Sequence, residues 1–194
     1  MKLLLLRCPK CNHALAPGQD DRVIQCPNCR VAVAVDEGGL ALLPAQYAAP
    51  TVAQPPAWLP FWVYRGRVTI KQRRTQGGRS AESEAQAFWA QPRRVYIPAW
   101  ACELLEARDL VATLLEKQLF LEAVIPPEGT AFEPAVVTPA DARKLLELVI
   151  VSLEAERNDY LESFDFDLNL ESEALWLLPA ERQGDEWTLL LKKM

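Results

Sequence analysis

The chain has one histidine, His13, so beyond that position no His-based general base or catalytic triad is available. It also contains no G-x-x-x-x-G-K-[ST], no G-x-G-x-x-G and no G-x-S-x-G, which removes the usual phosphate cradles and the esterase nucleophile elbow. No stretch approaches the roughly 18 uninterrupted apolar residues that a membrane-crossing helix needs. The opening MKLLLLRCPKC has an apolar run of only four leucines, with Arg7 where a signal peptide would place a small residue, and it reads as a first strand. Cysteine is sparse: four of the five lie within residues 8–29 and Cys102 stands apart, unlike a secreted disulfide framework. A cytoplasmic protein is expected.

What is present begins with RCPKCNHALAPGQDDRVIQCPNCRV. In each Cys-Pro-x-Cys pair, Cys8 with Cys11 and Cys26 with Cys29, two intervening residues let both sulfurs reach one ion, and Pro9 and Pro27 pre-set the turn. Between the pairs, Pro17-Gly18 signals a turn and Val23-Ile24 leads into the second pair. Four thiolates favour one tetrahedral Zn²⁺, and a site filled by protein sulfur has no open position for water or substrate, so the metal is expected to be structural. A module of about 40 residues is too small to fold on its own core, and metal binding would supply most of its folding energy. His13, two residues beyond Cys11, is an alternative ligand, although the four cysteines already complete the set.

These knuckles, with VAVAV and LALLP flanking Asp36-Glu37-Gly38-Gly39, resemble the zinc-ribbon family over residues 3 to about 43. The resemblance implies ligand positions at Cys8, Cys11, Cys26 and Cys29. Rubredoxin-type iron proteins have similar knuckles, but they commonly place glycine after the second cysteine of each pair, where this chain has Asn12 and Arg30, and their gap between knuckles is longer.

An α+β architecture is expected: a ribbon over 1–43, a Pro-rich linker over 44–57 and a domain of antiparallel strands with two main helices over 58–194. PAQYAAPTVAQPPAWLP, residues 44–60, has five prolines and no charge, the composition of an extended connector. Phe61–Lys71 reads as a strand, broken at Gln76-Gly77-Gly78-Arg79. SAESEAQAFWAQ reads as a short helix, and Arg94–Ile97 as a strand stopped by Pro98. Apolar spacing predicts a helix from about Ala101 to Leu121. Thr138 as N-cap, Pro139 at the first position and Asp141 three residues after the cap start another. Its stripe is Ala142, Leu145, Leu146, Val149, Ile150 and Leu153, with Glu147, Glu154, Glu156 and Arg157 assigned to the other face. The end reads as a hairpin, Leu175–Leu178 and Trp187–Leu191 around Gln183-Gly184-Asp185.

Three segments, WLPFW, YIPAW and LWLLPA, are apolar, β-prone and interrupted by proline, and are expected to meet in one sheet with the prolines at edges or bulges. Leu59-Pro60-Phe61-Trp62, Tyr96-Ile97-Pro98-Ala99-Trp100 and Trp176-Leu177-Leu178-Pro179 resemble the region that follows the ribbon in certain uncharacterised bacterial zinc-ribbon proteins. That resemblance bears on architecture and implies no activity.

Charge is uneven. Residues 64–94 carry eight basic and two acidic groups, while residues 95–194 carry eight and twenty, in a chain of net charge -5. The basic stretch either pairs with the acidic part of its own chain or faces a partner. Asp159, Glu162, Asp165 and Asp167 lie in an acidic run that lacks the glycine and terminal glutamate of a calcium loop, and a solvated helix end is the simpler reading. Cys102, with no histidine partner, reads as a small buried hydrophobe.

Without a catalytic constellation, the expected function is non-enzymatic: an interaction or assembly component with a protein partner and a structural zinc. Six tryptophans would supply aromatic anchors, or simply core. The alternative is a nucleic-acid-binding protein related to transcription or translation, using segment 64–94. Its candidate contacts are Arg65, Arg67, Arg73, Arg74, Trp62 and Trp89. A pI near 5.1 runs against that footprint.

Overall fold

The computed structural model describes residues 6–76, 80–119, 121–157, 160–184 and 186–191, so most of the expected opening strand, Gly77-Gly78-Arg79, Asp159 and Asp185 lie outside the described residues. The fold is α+β, with two sheets and three helices among the described residues. The N-terminal sheet is antiparallel, β1 (Val23–Gln25), β2 (Ala32–Asp36) and β3 (Gly39–Leu43), in that order. Its last hairpin turns where Gly39 adopts φ 121° and the Asp36 carboxylate accepts from the Gly38 N–H at 2.7 Å.

The larger sheet is built on two long strands, β5 (Ala57–Gln76) and β8 (Tyr160–Gln183), antiparallel along almost their whole length. Three register shifts interrupt their ladder, one between Arg65 and Gly66. At that shift a Cβ on Gly66 would strike the Asn169 carbonyl oxygen and sit 3.0 Å from the Leu170 Cα, both backbone atoms that cannot step aside. Gly66→Ala is therefore expected to lower stability by about 1–3 kcal/mol, read as a shifted urea midpoint.

Beside β5 lies β6 (Arg93–Pro98). On the far side of β8 run β4 (Ala45–Ala48) and then β7 (Ala123–Val124), while β9 (Glu186–Leu189) pairs with the end of β8. The three Trp/Pro segments do meet: Phe61 faces Pro98 on one side and Trp176 on the other. The prolines sit where a neighbouring strand stops. The Pro60 carbonyl accepts from the Ala99 N–H at 2.9 Å just past the end of β6, so its nitrogen points to a side with no ladder to satisfy. Pro179 lies between the ends of β4 and β9, and its carbonyl accepts from Leu190 at 2.8 Å.

Two expectations are corrected by this sheet. Residues 45–48, inside the stretch read as a connector, form β4 and run parallel to β8, with Tyr47 opposite Leu177, so the sheet is mixed. Tyr47 also meets Trp58 edge-on at 5.0 Å, contacts a charge-free, proline-rich composition does not announce. The run from Tyr160 onward is strand, not a solvated helix end. Phe164, Phe166, Leu168 and Leu170 alternate with Asp165, Asp167, Asn169 and Glu171, and the apolar set packs against the core.

The helices are α1 (Ser80–Trp89), α2 (Leu104–Lys117) and α3 (Pro139–Ala155). α3 begins as its sequence dictates: the Thr138 hydroxyl accepts from the Asp141 N–H at 3.1 Å with Pro139 following. β5 anchors this start, since Trp62 Nε1 donates to the Val137 carbonyl at 2.8 Å and the Tyr64 hydroxyl to that of Pro139 at 2.9 Å. α2 ends on Gln118 in the left-handed region, φ 44°, whose side chain bonds both the N–H and the C=O of Arg94 and ties the helix to β6. No helix among the described residues is long and apolar enough to cross a membrane.

The N-terminal sheet is docked on the larger one. Val23 and Ala135 exchange backbone hydrogen bonds of 3.0 and 2.9 Å, Gln25 Nε2 donates to the Thr130 carbonyl at 3.0 Å, and Val23 and Ala32 are buried in one cluster with Trp58, Trp62 and Ala135.

Candidate metal centre

Each Cys-Pro-x-Cys segment folds into the same turn. At the first, the Cys8 carbonyl accepts from the Asn12 N–H at 2.9 Å and the Cys8 N–H donates to the His13 carbonyl at 2.9 Å; at the second, Cys26 does likewise with Arg30 and Val31 at 3.0 and 2.9 Å. To close these loops, the residue after the second cysteine must turn left-handed: Asn12 has φ 60° and Arg30 φ 61°. Asparagine tolerates that region, whereas an arginine there carries a cost of about 1–2 kcal/mol. Arg30→Gly is expected to recover up to about 1 kcal/mol after glycine's own entropic cost, seen as a higher thermal midpoint for the N-terminal module.

The two turns bring Cys8, Cys11, Cys26 and Cys29 together, with all four sulfurs within 4.8 Å of one another and none in a disulfide. Cys8 Sγ lies 3.7 Å from Cys29 Sγ, and Cys11 Sγ lies 3.5 Å from Cys26 Sγ. A tetrahedral ion with metal–sulfur bonds of about 2.3 Å requires sulfur–sulfur edges of about 3.8 Å. The donor set therefore fits one tetrahedral thiophilic ion.

The surroundings favour thiolate at some of these positions and oppose it at others. The Asn28 side chain, with the His13 backbone N–H, holds the Cys11 thiol down to about 6. Burial pushes Cys29 up to about 12, with the sulfurs of Cys11, Cys26 and Cys8 adding to it against the Val31 N–H. Four clustered negative sulfurs need a cation among them. The apolar lining is Leu15, Ile24 and Val33, with Cys8 and Cys26 themselves buried. His13 is exposed and lies outside the four-sulfur cluster.

The other candidate contact residues divide, with Trp62, Trp89 and the Arg73 side chain buried and Arg65, Arg67 and Arg74 exposed. Trp62 and Trp89 are each only 2% exposed, so neither ring is available to stack on a base or anchor a partner. Trp89 Nε1 donates to Glu154 Oε1 at 2.7 Å. Arg73 is buried with it, its Nε 3.0 Å from Glu154 Oε2 with side-chain exposures of 1% and 0%, and Arg157 Nε reaches Glu154 Oε1 at 2.8 Å. Glu154, assigned from sequence to the outer face of α3, is thus the acceptor hub beneath the sheet. It falls four residues after Ile150, on the buried stripe itself, which is the sequence signal for it.

Arg65 and Arg67 are about half exposed and both face Glu171, at 3.3 and 3.9 Å; Lys71 meets Asp167 at 2.6 Å, and Arg74 is exposed. Arg93 lies over the Phe88 ring at 3.5 Å, and Arg94 Nη1 donates to the Leu119 carbonyl at 3.0 Å. Much of the basic segment is thus engaged with groups of its own chain. Cys102 is half-buried, and burial, followed by Glu106 and Glu103, pushes its thiol up to about 11, the opposite of an activated nucleophile.

No family model matches the chain, and no curated protein or solved structure matches it either.

Proposed function

We propose that the chain is a non-enzymatic interaction or assembly component whose N-terminal module is a zinc ribbon, with one structural Zn²⁺ held by Cys8, Cys11, Cys26 and Cys29. The observation that carries the reading is the four-sulfur cluster on paired turns, docked through Val23 and Ala135 onto the larger sheet. Four cysteines complete a tetrahedral shell and leave no position for substrate, so the ion's chemistry is to hold the fold. Thiols kept free in this way suit the reducing cytoplasm.

The internal ion pairs of Arg65, Arg67, Lys71 and Arg73 support a protein partner over nucleic acid, because charges already neutralised within the chain release few counterions from phosphate. The test is affinity capture from native lysate at low salt, with and without nuclease, measuring bound metal on the same sample. One zinc per chain and a protein companion that survives nuclease and is lost on chelation is the expected result. Co-purification that nuclease abolishes would overturn this reading in favour of nucleic-acid binding.

A further inference from the structure

Where α2 and α3 meet the end of β6 they leave a cavity of about 300 Å³. Its bottom is core, formed by Ile97 of β6, Val111 of α2 and Val149 of α3, all buried. Its mouth is apolar too, for Leu104, Leu105 and Leu148 line it while 61%, 68% and 51% exposed. One leucine left in water needs no explanation. Three at a single opening, continuous with a buried apolar floor, make a concave surface whose exposure to water is unfavourable and whose filling is rewarded.

The lining narrows what fits. Of its described residues only Arg108 and Ser152 have polar side chains, and both are engaged within the chain. The Ser152 hydroxyl donates to the Leu148 carbonyl at 3.0 Å. Arg108 Nη2 lies 2.8 Å from Asp109 Oδ1 and Nη1 lies 3.1 Å from Glu156 Oε1, the second pair joining α2 to α3. A ligand carboxylate would compete with two carboxylates for that guanidinium, and a ligand ammonium would lie beside a like charge. Neither would be compensated among the apolar side chains below. An uncharged ligand meets no such cost. An apolar cavity of about 150 Å³ takes up benzene, so one of twice that volume has room for on the order of ten non-hydrogen atoms.

We propose that this cavity is a binding site for an uncharged, hydrocarbon-like small molecule of that size, which enters past Leu104, Leu105 and Leu148 and packs on Ile97, Val111 and Val149. The site shares no residue with the four-cysteine cluster and goes beyond the interaction-component reading without depending on it.

The probes are the straight-chain 1-alkanols from butanol to dodecanol, titrated into the zinc-loaded chain while its side-chain methyl resonances are followed by NMR. Saturable shifts confined to the methyls of Ile97, Val111, Leu148, Val149 and their neighbours are expected. Affinity should rise about fourfold per added methylene until the cavity is full, then level off. Octanoate and octylammonium should each bind at least about tenfold more weakly than 1-octanol. Ala107→Phe, which places a ring in the space, should abolish the shifts, and Leu148→Asp, at an exposed position of the mouth, should weaken 1-octanol by at least about tenfold. Circular dichroism checks that both variants fold.

An absence of saturable shifts, shifts spread over other surfaces, affinity that climbs with chain length without levelling, or undiminished binding to folded Ala107→Phe or Leu148→Asp would overturn the proposal. Concentration-dependent self-association that shifts the same methyls without alkanol would also overturn it, by making the opening a contact between copies. In each case the interaction-component reading would stand.

Discussion

Glu154→Ala is expected to cost about 3–5 kcal/mol of folding stability, the range for removing one partner of a buried ion pair. Glu154 is fully buried and receives Arg73 at 3.0 Å, Trp89 at 2.7 Å and Arg157 at 2.8 Å. Its loss strands the Trp89 N–H and removes the carboxylate from a guanidinium that is 1% exposed. Against a typical total of about 5–15 kcal/mol, that is a large fraction of the fold's stability. Arg73→Glu should be at least as damaging, because it sets two carboxylates against each other in the same site. Arg74→Glu, one position along and exposed, should stay within about 0.5 kcal/mol. Urea unfolding of the three variants checks the ranking; equal effects of Arg73→Glu and Arg74→Glu would mean that the buried pairing does not form.

Chelation is expected to unfold the N-terminal module and to reach beyond it. Structural zinc in small modules contributes about 10–16 kcal/mol of apparent binding free energy at neutral pH. The core available without it, Leu15, Ile24 and Val33 with the cysteines, is small. Once β1 melts, Ala135 loses its exchange of hydrogen bonds with Val23 and Thr130 loses its bond from Gln25. Hydrogen exchange after chelator treatment should therefore rise throughout residues 6–43 and also at the Ala135 amide, while β5 and β8 around Trp62 and Leu175 stay protected. Cys26→Ser should reproduce the pattern. Acidification should weaken the metal's hold in the same direction, since the thiols must lose their protons to bind it.

The four-cysteine cluster was legible because its geometry is local: two residues between cysteines, a proline to set the turn, and a short chain between the turns. Even the positions of Asn12 and Arg30, which stand where rubredoxin-type knuckles commonly have glycine, mark left-handed residues of the structure. The helices were legible for the same reason, with Thr138, Pro139 and Asp141 spelling out the start of α3.

What was not legible depended on partners far along the chain. Nothing in Ala45–Ala48 says that it will lie parallel to Leu175–Leu177, and Glu154 joins Arg73 across 81 positions. The strand from Tyr160 is a different case. Its alternation of Phe164, Phe166, Leu168 and Leu170 with Asp165, Asp167, Asn169 and Glu171 is a plain period of two, in which the polar set is also largely the acidic one. Trp62 and Trp89 show the converse error, in which aromatic residues beside arginines suggest a binding face although both rings are packed beneath the sheet.

The most direct measurement of the central claim is X-ray absorption at the zinc edge on the purified chain, with metal content determined on the same sample. One zinc per chain surrounded by four sulfur scatterers at about 2.3 Å, with no nitrogen or oxygen in the shell, is the predicted result. A shell containing nitrogen or oxygen would contradict it, because it would mean that a cysteine is not a ligand and that the site is open to exchange. A chain that carries iron in place of zinc would contradict the identity of the ion.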